Sequence, residues 1–256
     1  MVPDGDGVFR PEEFFTYFYC SYTLFMRYID ATLLIAGLIM LASCSQLAVV
    51  HYNNGIEKDG QKDYKGALAE YTSAIELNPK FDKAYMNRAN VKLSLLDTPG
   101  AMADYNKAIE INPVYGDAWY NRGNLQFDLA HFEAAGADYD KVIDIDPGNK
   151  VAWYNRGKVK DTLKQHDAAY ADFDKTIQLD PKFTAAYINR GVCKARKGDN
   201  AGAIADFTKA IELDPACEVA YYNRYAIKSN ISDLKGAKED WAKLMQLNPE
   251  YGKHRK

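Results

Sequence analysis

Five arginines recur at one spacing, Arg88, Arg122, Arg156, Arg190 and Arg224, and an aspartate follows each after 16 residues: Asp104, Asp138, Asp172, Asp206 and Asp240. A guanidinium is a rigid fork of donors that matches a carboxylate bidentately. In the block that lacks the arginine, at Asn54, the acid changes too, to Glu70. Positions that change together predict a contact, here a column of partly buried ion pairs between helices, within a repeat or across neighbours. The competing chemistry is a row of arginines reaching out to an anionic ligand. Other reactive types form no constellation. The histidines (His51, His131, His166 and His254) are scattered, and Cys20, Cys44, Cys193 and Cys217 are too few for a disulfide framework. With no phosphate loop, metal-ligand spacing or nucleophile elbow, the sequence predicts no enzyme, no metal and no cofactor.

The elements that must position these residues follow from a period. Asn53-Asn54-Gly55, Asn87-Arg88-Ala89, Asn121-Arg122-Gly123, Asn155-Arg156-Gly157, Asn189-Arg190-Gly191 and Asn223-Arg224-Tyr225 return every 34 residues, in step with Pro79, Pro113, Pro147, Pro181, Pro215 and Pro249. Self-similarity at this period means stacked units, none of which buries its apolar face alone. Six units are predicted: 48–81, 82–115, 116–149, 150–183, 184–217 and 218–251, with a basic tail at 252–256. They leave no span for a catalytic domain after Cys44. The composition, 47% hydrophobic with net charge −3, supports a folded core and shows no basic stripe for nucleic acid.

Each unit reads as two helices. In the third, Asp117 to Leu129 and Glu133 to Asp146 carry apolar residues at helical spacing, and Pro147 stops the second. Thr98-Pro99 reads as an N-cap followed by the first helical residue, with Gly198-Asp199-Asn200 doing the equivalent job in the fifth unit. Small residues (Gly123, Gly157, Gly191; Ala67, Ala135, Ala169) alternate with a large one (Tyr71, Tyr105, Tyr139, Phe173, Phe207, Trp241), a pattern of knobs and gaps. The order Trp or Tyr-x-x-x-Gly, then Ala, an aromatic and Pro resembles the tetratricopeptide repeat over 48–251. The resemblance implies an all-α fold, a right-handed superhelix (α-solenoid) of six helix-turn-helix repeats. Arginine before the glycine, where the family usually has an apolar residue, is a departure.

That family binds peptides in a concave groove lined by first helices. Carried over by position, the lining is Asn53, Asn87, Asn121, Asn155, Asn189 and Asn223, flanked by Tyr120, Tyr154 and Tyr222. Amides donate and accept, so such a ladder can pair with a peptide backbone of any sequence, or else bond neighbouring helices. The scattered Lys83, Lys158 and Arg196 do not form the family's carboxylate clamp. The last unit differs at Tyr225, Trp241 and Leu244, which makes its exposed face a candidate for docking or for a homodimer.

Residues 1–43 read as an N-terminal extension and signal peptide or anchor, with Met26 as an alternative start and 44–47 as a linker. Ala31 to Ala42 is apolar but short for a membrane span, and Leu41-Ala42-Ser43-Cys44 resembles a bacterial lipobox, with Cys44 accepting lipid. An uncleaved anchor from Ala31 to Val50 is the alternative. Ser45 after the cysteine favours the outer membrane by resemblance. The expected function is a membrane-anchored scaffold at the bacterial envelope, with a protein or peptide partner. The alternatives are an envelope assembly factor resembling pilotin or barrel-assembly lipoproteins, and a non-catalytic arm of a peptidoglycan- or glycosyl-modifying enzyme.

Overall fold

The computed structural model describes residues 44–252, so the signal peptide, the alternative start at Met26 and residues 253–256 of the tail lie outside the described residues. Residues 44–252 fold into helices joined by short turns, with no strand among them. Helix α1 covers 44–60. It is followed by α2 (Tyr64–Leu77), α3 (Asp82–Ser94), α4 (Thr98–Ile111), α5 (Gly116–Asp128) and α6 (Phe132–Ile145). Then come α7 (Lys150–Thr162), α8 (His166–Leu179), α9 (Thr184–Arg196), α10 (Asn200–Leu213), α11 (Glu218–Asn230) and α12 (Leu234–Leu247), closed by a 3-10 turn, Pro249–Gly252. Contacts divide the chain into two compact units, one ending at Ala101 and one beginning at Met102. In the first, α2 packs on α3. In the second, α5–α6, α7–α8, α9–α10 and α11–α12 form hairpins, and α6–α7, α8–α9 and α10–α11 join each to the next.

The helices of the third repeat lie one residue earlier than the periodicity predicts. Asp146, the residue before Pro147, is already extended (φ −134°, ψ 92°), as the proline ring requires. Two further expectations are corrected. Residues 44–47 are the first described turn of α1 rather than a linker. Ser45, Gln46 and Leu47 include no helix breaker, and Ala48, one residue on, is fully buried. Thr98 is the first helical residue of α4 rather than its cap. The cap is Asp97, whose side chain accepts from the Gly100 N–H at 2.9 Å. Asp63, Asp199 and Asp233 cap α2, α10 and α12 the same way, on Gly66, Gly202 and Gly236. His131 and Gln165 cap nothing at the corresponding place before α6 and α8.

Every hairpin turns through one left-handed residue, Lys62, Leu96, Ala130, Lys164, Gly198 or Ser232, with φ between 58° and 80°. At the third turn, Ala130 N–H donates to the Phe127 carbonyl and His131 N–H to that of Gln126, which closes the helix in a Schellman motif. Only Gly198 takes this conformation without a side-chain penalty. In the hairpins of repeats three to five one ring fills the gap: Tyr139, Phe173 and Phe207 are almost wholly buried. The first helix must be bare where the ring lies. A Cβ on Gly157 would sit 2.7 Å from Cε1 of Phe173, and one on Gly191 2.8 Å from Cε1 of Phe207.

Candidate functional site

The arginine column lies between consecutive hairpins. Arg156, on α7, grips Asp172 on α8 with Nε and Nη2 (2.8 and 2.7 Å) and donates from Nη1 to Asp140 on the preceding α6 (2.6 Å). Arg122 holds Asp138 (2.9 and 2.6 Å) and Asn106 (2.6 Å). Arg190 holds Asp206 (2.9 and 2.6 Å) and Asp174 (2.6 Å). Arg224 holds Asp240 (2.9 and 2.5 Å) and Thr208 (2.9 Å). One guanidinium therefore fastens its own hairpin and the one before it. In the first unit Arg88 reaches back to Thr72 in the same sense, at 3.2 Å. Asp104 is buried in the second.

These aspartates are 2–4% exposed, so their charge needs more than one donor. Lys160, Lys194 and Lys228 supply it to Asp172, Asp206 and Asp240 at 2.8–2.9 Å, and Gln126 supplies it to Asp138 at 2.7 Å. An aromatic ring covers each guanidinium, most closely Trp153 over Arg156 at 4.5 Å. Asp206 raises the Arg190 pKa above its usual value, and burial opposes it. At Arg156 burial works against the charge, but Asp172 and Asp140 together outweigh it. Sequence reasoning missed the lysines, although Lys58, Lys160, Lys194 and Lys228 keep the same period. It also missed the first repeat's version. There Glu70 is held by Lys58 and His51, both at 2.7 Å, and its carboxyl falls to about 2 because of Lys58 first and His51 second.

The first helices carry the asparagines, and three of them bond backwards by one repeat. Asn87 donates to the Tyr52 hydroxyl (3.1 Å), Asn155 to that of Tyr120 (3.2 Å) and Asn189 to that of Tyr154 (3.1 Å). These bonds join neighbouring first helices; Asn155 also donates to Asn124 Oδ1 (3.3 Å), whereas the second N–H of Asn189 has no partner among the described residues. Asn53 is exposed, whereas Asn121 and Asn223 are half-buried. Tyr222, in the last repeat, stacks on Tyr251 at 6.2 Å.

Between the first helices of repeats three to five lies a pocket of about 290 Å³. Phe127, Tyr154 and Phe173 form its apolar part, with Lys158, Asp161 and Asn189 at its polar edge. Lys158 Nζ lies 4.6 Å from the centre of the Phe127 ring and 5.9 Å from that of Tyr154. Burial raises the Tyr154 pKa, and the Asn189 bond pulls it the other way. Asp161 is engaged by Arg196 and, at 2.8 Å, by Nδ1 of His166. Among the described residues no cluster of His, Cys, Asp or Glu is placed to hold a metal ion. Cys193 is buried, which pushes its thiol up to about 11. Cys44 is half-buried, in the first described turn. Among the described residues no helix is long and apolar enough to cross a membrane.

Repeated hairpins, a recurring polar clip and an open pocket among first helices define an interaction scaffold of stacked helix pairs. The family comparison names the class. Patterns described as tetratricopeptide repeats match residues 97–129, 116–149, 151–183 and 184–217, and the chain is a tetratricopeptide repeat protein. Among solved structures it is similar to YrrB, a repeat protein described as having an unusual peptide-binding site. That match has 27% identity and a TM-score of 0.62, and it covers 70% of this chain and 92% of YrrB. PilW, a type IV pilus biogenesis factor, matches at 22% identity and TM-score 0.66 over 80% and 95% of the two chains. The pilF protein of Pseudomonas aeruginosa matches at 15% and 0.68 over 81% and 94%. The last two show the fold alone. No curated protein sequence matches the chain. Together these findings support a scaffold for protein–protein interaction.

Proposed function

We propose that the chain holds a peptide, or an exposed segment of a protein, against the first-helix face of repeats three to five. The observation that carries this reading is the pocket between α5, α7 and α9, where three aromatic rings meet an ammonium and an amide. Rigid rings give contact area at low entropic cost, and the amide offers pairing to a peptide backbone. The likeness to YrrB supports the same reading. A photo-crosslinking residue placed at Thr162, which lines the pocket, should capture a partner, and one at Lys209, exposed on the second helix α10, should not. Capture from Lys209 alone would remove the proposal.

The same scaffold is proposed to act at a bacterial envelope membrane, held by lipid on Cys44, with the outer membrane favoured by Ser45. The support is Leu41-Ala42-Ser43-Cys44 after an apolar stretch. Stable attachment takes more than one acyl chain, so the mass of the mature N-terminal peptide is the test. A diacylated or triacylated Cys44 is expected, and an unmodified chain that begins at Met1 or Met26 would contradict it.

A further inference from the structure

The lysines of α7 and α9 other than Lys158 have carboxylate partners. Lys150 holds Asp180 at 2.6 Å, Lys160 holds Asp172 and Lys194 holds Asp206. Lys158 holds none among the described residues; its ammonium lies over the faces of Phe127 and Tyr154. The acid beside it, Asp161, is engaged by Arg196 and His166. One positive charge is therefore left uncompensated at the rim of an apolar pocket.

A ring face attracts a cation only modestly at a half-exposed site. It leaves the ammonium able to meet an anion without breaking an ion pair. We infer that this pocket selects a peptide segment in which a side-chain carboxylate stands next to an apolar residue. The carboxylate meets Lys158, the apolar side chain enters among Phe127, Tyr154 and Phe173, and Asn189 pairs with the peptide backbone through its remaining N–H. A single ammonium suits one side-chain acid. A chain-terminal carboxylate calls for a cluster of donors, and the neighbouring cations are committed elsewhere. The inference rests on the reading of this face as the binding surface.

The test is a library of decapeptides acetylated and amidated at their ends, so that only side chains carry charge, selected on the full-length protein in detergent. The expected result is enrichment of Asp or Glu within two residues of Leu, Ile or Phe. Affinity for the best peptide should fall about tenfold in Lys158→Met, as loss of one partly desolvated charge pair implies. Lys158→Glu should turn the preference towards Lys and Arg. Enrichment without acidic bias, in the native protein alone, overturns the inference and leaves the binding face standing. Binding only when the C-terminus is a free acid overturns the side-chain assignment. No enrichment in either format removes the binding face with it.

Discussion

The first repeat and the fourth solve one problem with different chemistry. In both, a carboxylate projects from the second helix towards the first. In the fourth it is Asp172, whose side chain is 3% exposed, with Arg156 and Lys160 on it, and Arg156 continues to Asp140 of the repeat before. In the first it is Glu70, whose side chain is 18% exposed, with Lys58 and His51 on it. The position of the arginine is taken there by Asn54, which is exposed. An arginine is needed where a hairpin must be fastened to a predecessor, because only its fork serves two acceptors in different helices at once. Where the charge serves a single hairpin, a longer acid and two shorter-range donors suffice.

The largest expected effect that would sharpen this contrast comes from the acids. Asp172→Ala leaves two cations facing a dry site and should cost about 3–5 kcal/mol by urea denaturation, as for a buried pair that loses one partner. Glu70→Ala should cost only about 1–2 kcal/mol, since water reaches Lys58 and His51. Equal losses would break the comparison. Next is the gap beside the ring. Gly157→Ala forces a methyl group onto Phe173 and should cost about 1–3 kcal/mol. In α1, nothing lies within 4 Å of a Cβ on Gly60, and Gly60→Ala should stabilise slightly.

How far the sequence foretells this is uneven. The period places the two helices of the third repeat to within one residue, and the joint change at Asn54 and Glu70 marks the helix–helix contact. What escaped was the third partner. Lys160 is no rarer than any surface lysine on a helix, and its role shows only when Asp172 is seen to be buried. His51 stood alone in the sequence because its partner is 19 residues away in the next helix. The asparagines gave an ambiguous signal, because one amide can serve both a ligand and a neighbouring helix. The tyrosine that accepts from Asn155 lies 35 residues upstream, at Tyr120. In the sequence Lys158 is one of three scattered cations, with Lys83 and Arg196, since ring faces leave no pattern of charge.

Two smaller effects follow. The Glu70 carboxyl lies near 2 in the folded chain against an ordinary 4.5, so the unfolded chain takes up that proton first as pH falls. The Glu70 contribution is complete above about 4.5 and disappears as pH drops towards 2. Thermal melts of Glu70→Gln should show a shallower acid slope in that window, and an unchanged slope would remove the pairing from the stability account. The turns give the smallest effect. Ala130→Gly relieves a left-handed alanine and should raise stability by at most about 1 kcal/mol, whereas Gly198→Ala should lower it by a similar amount.

The measurement that bears most directly on the clip is a double-mutant cycle on Arg156→Leu and Asp172→Leu, followed by equilibrium unfolding. The account predicts that either single change costs several kcal/mol and that the double variant loses far less than their sum, a coupling of about 2–3 kcal/mol. Small, additive losses would show that the arginine column does not fasten the repeats.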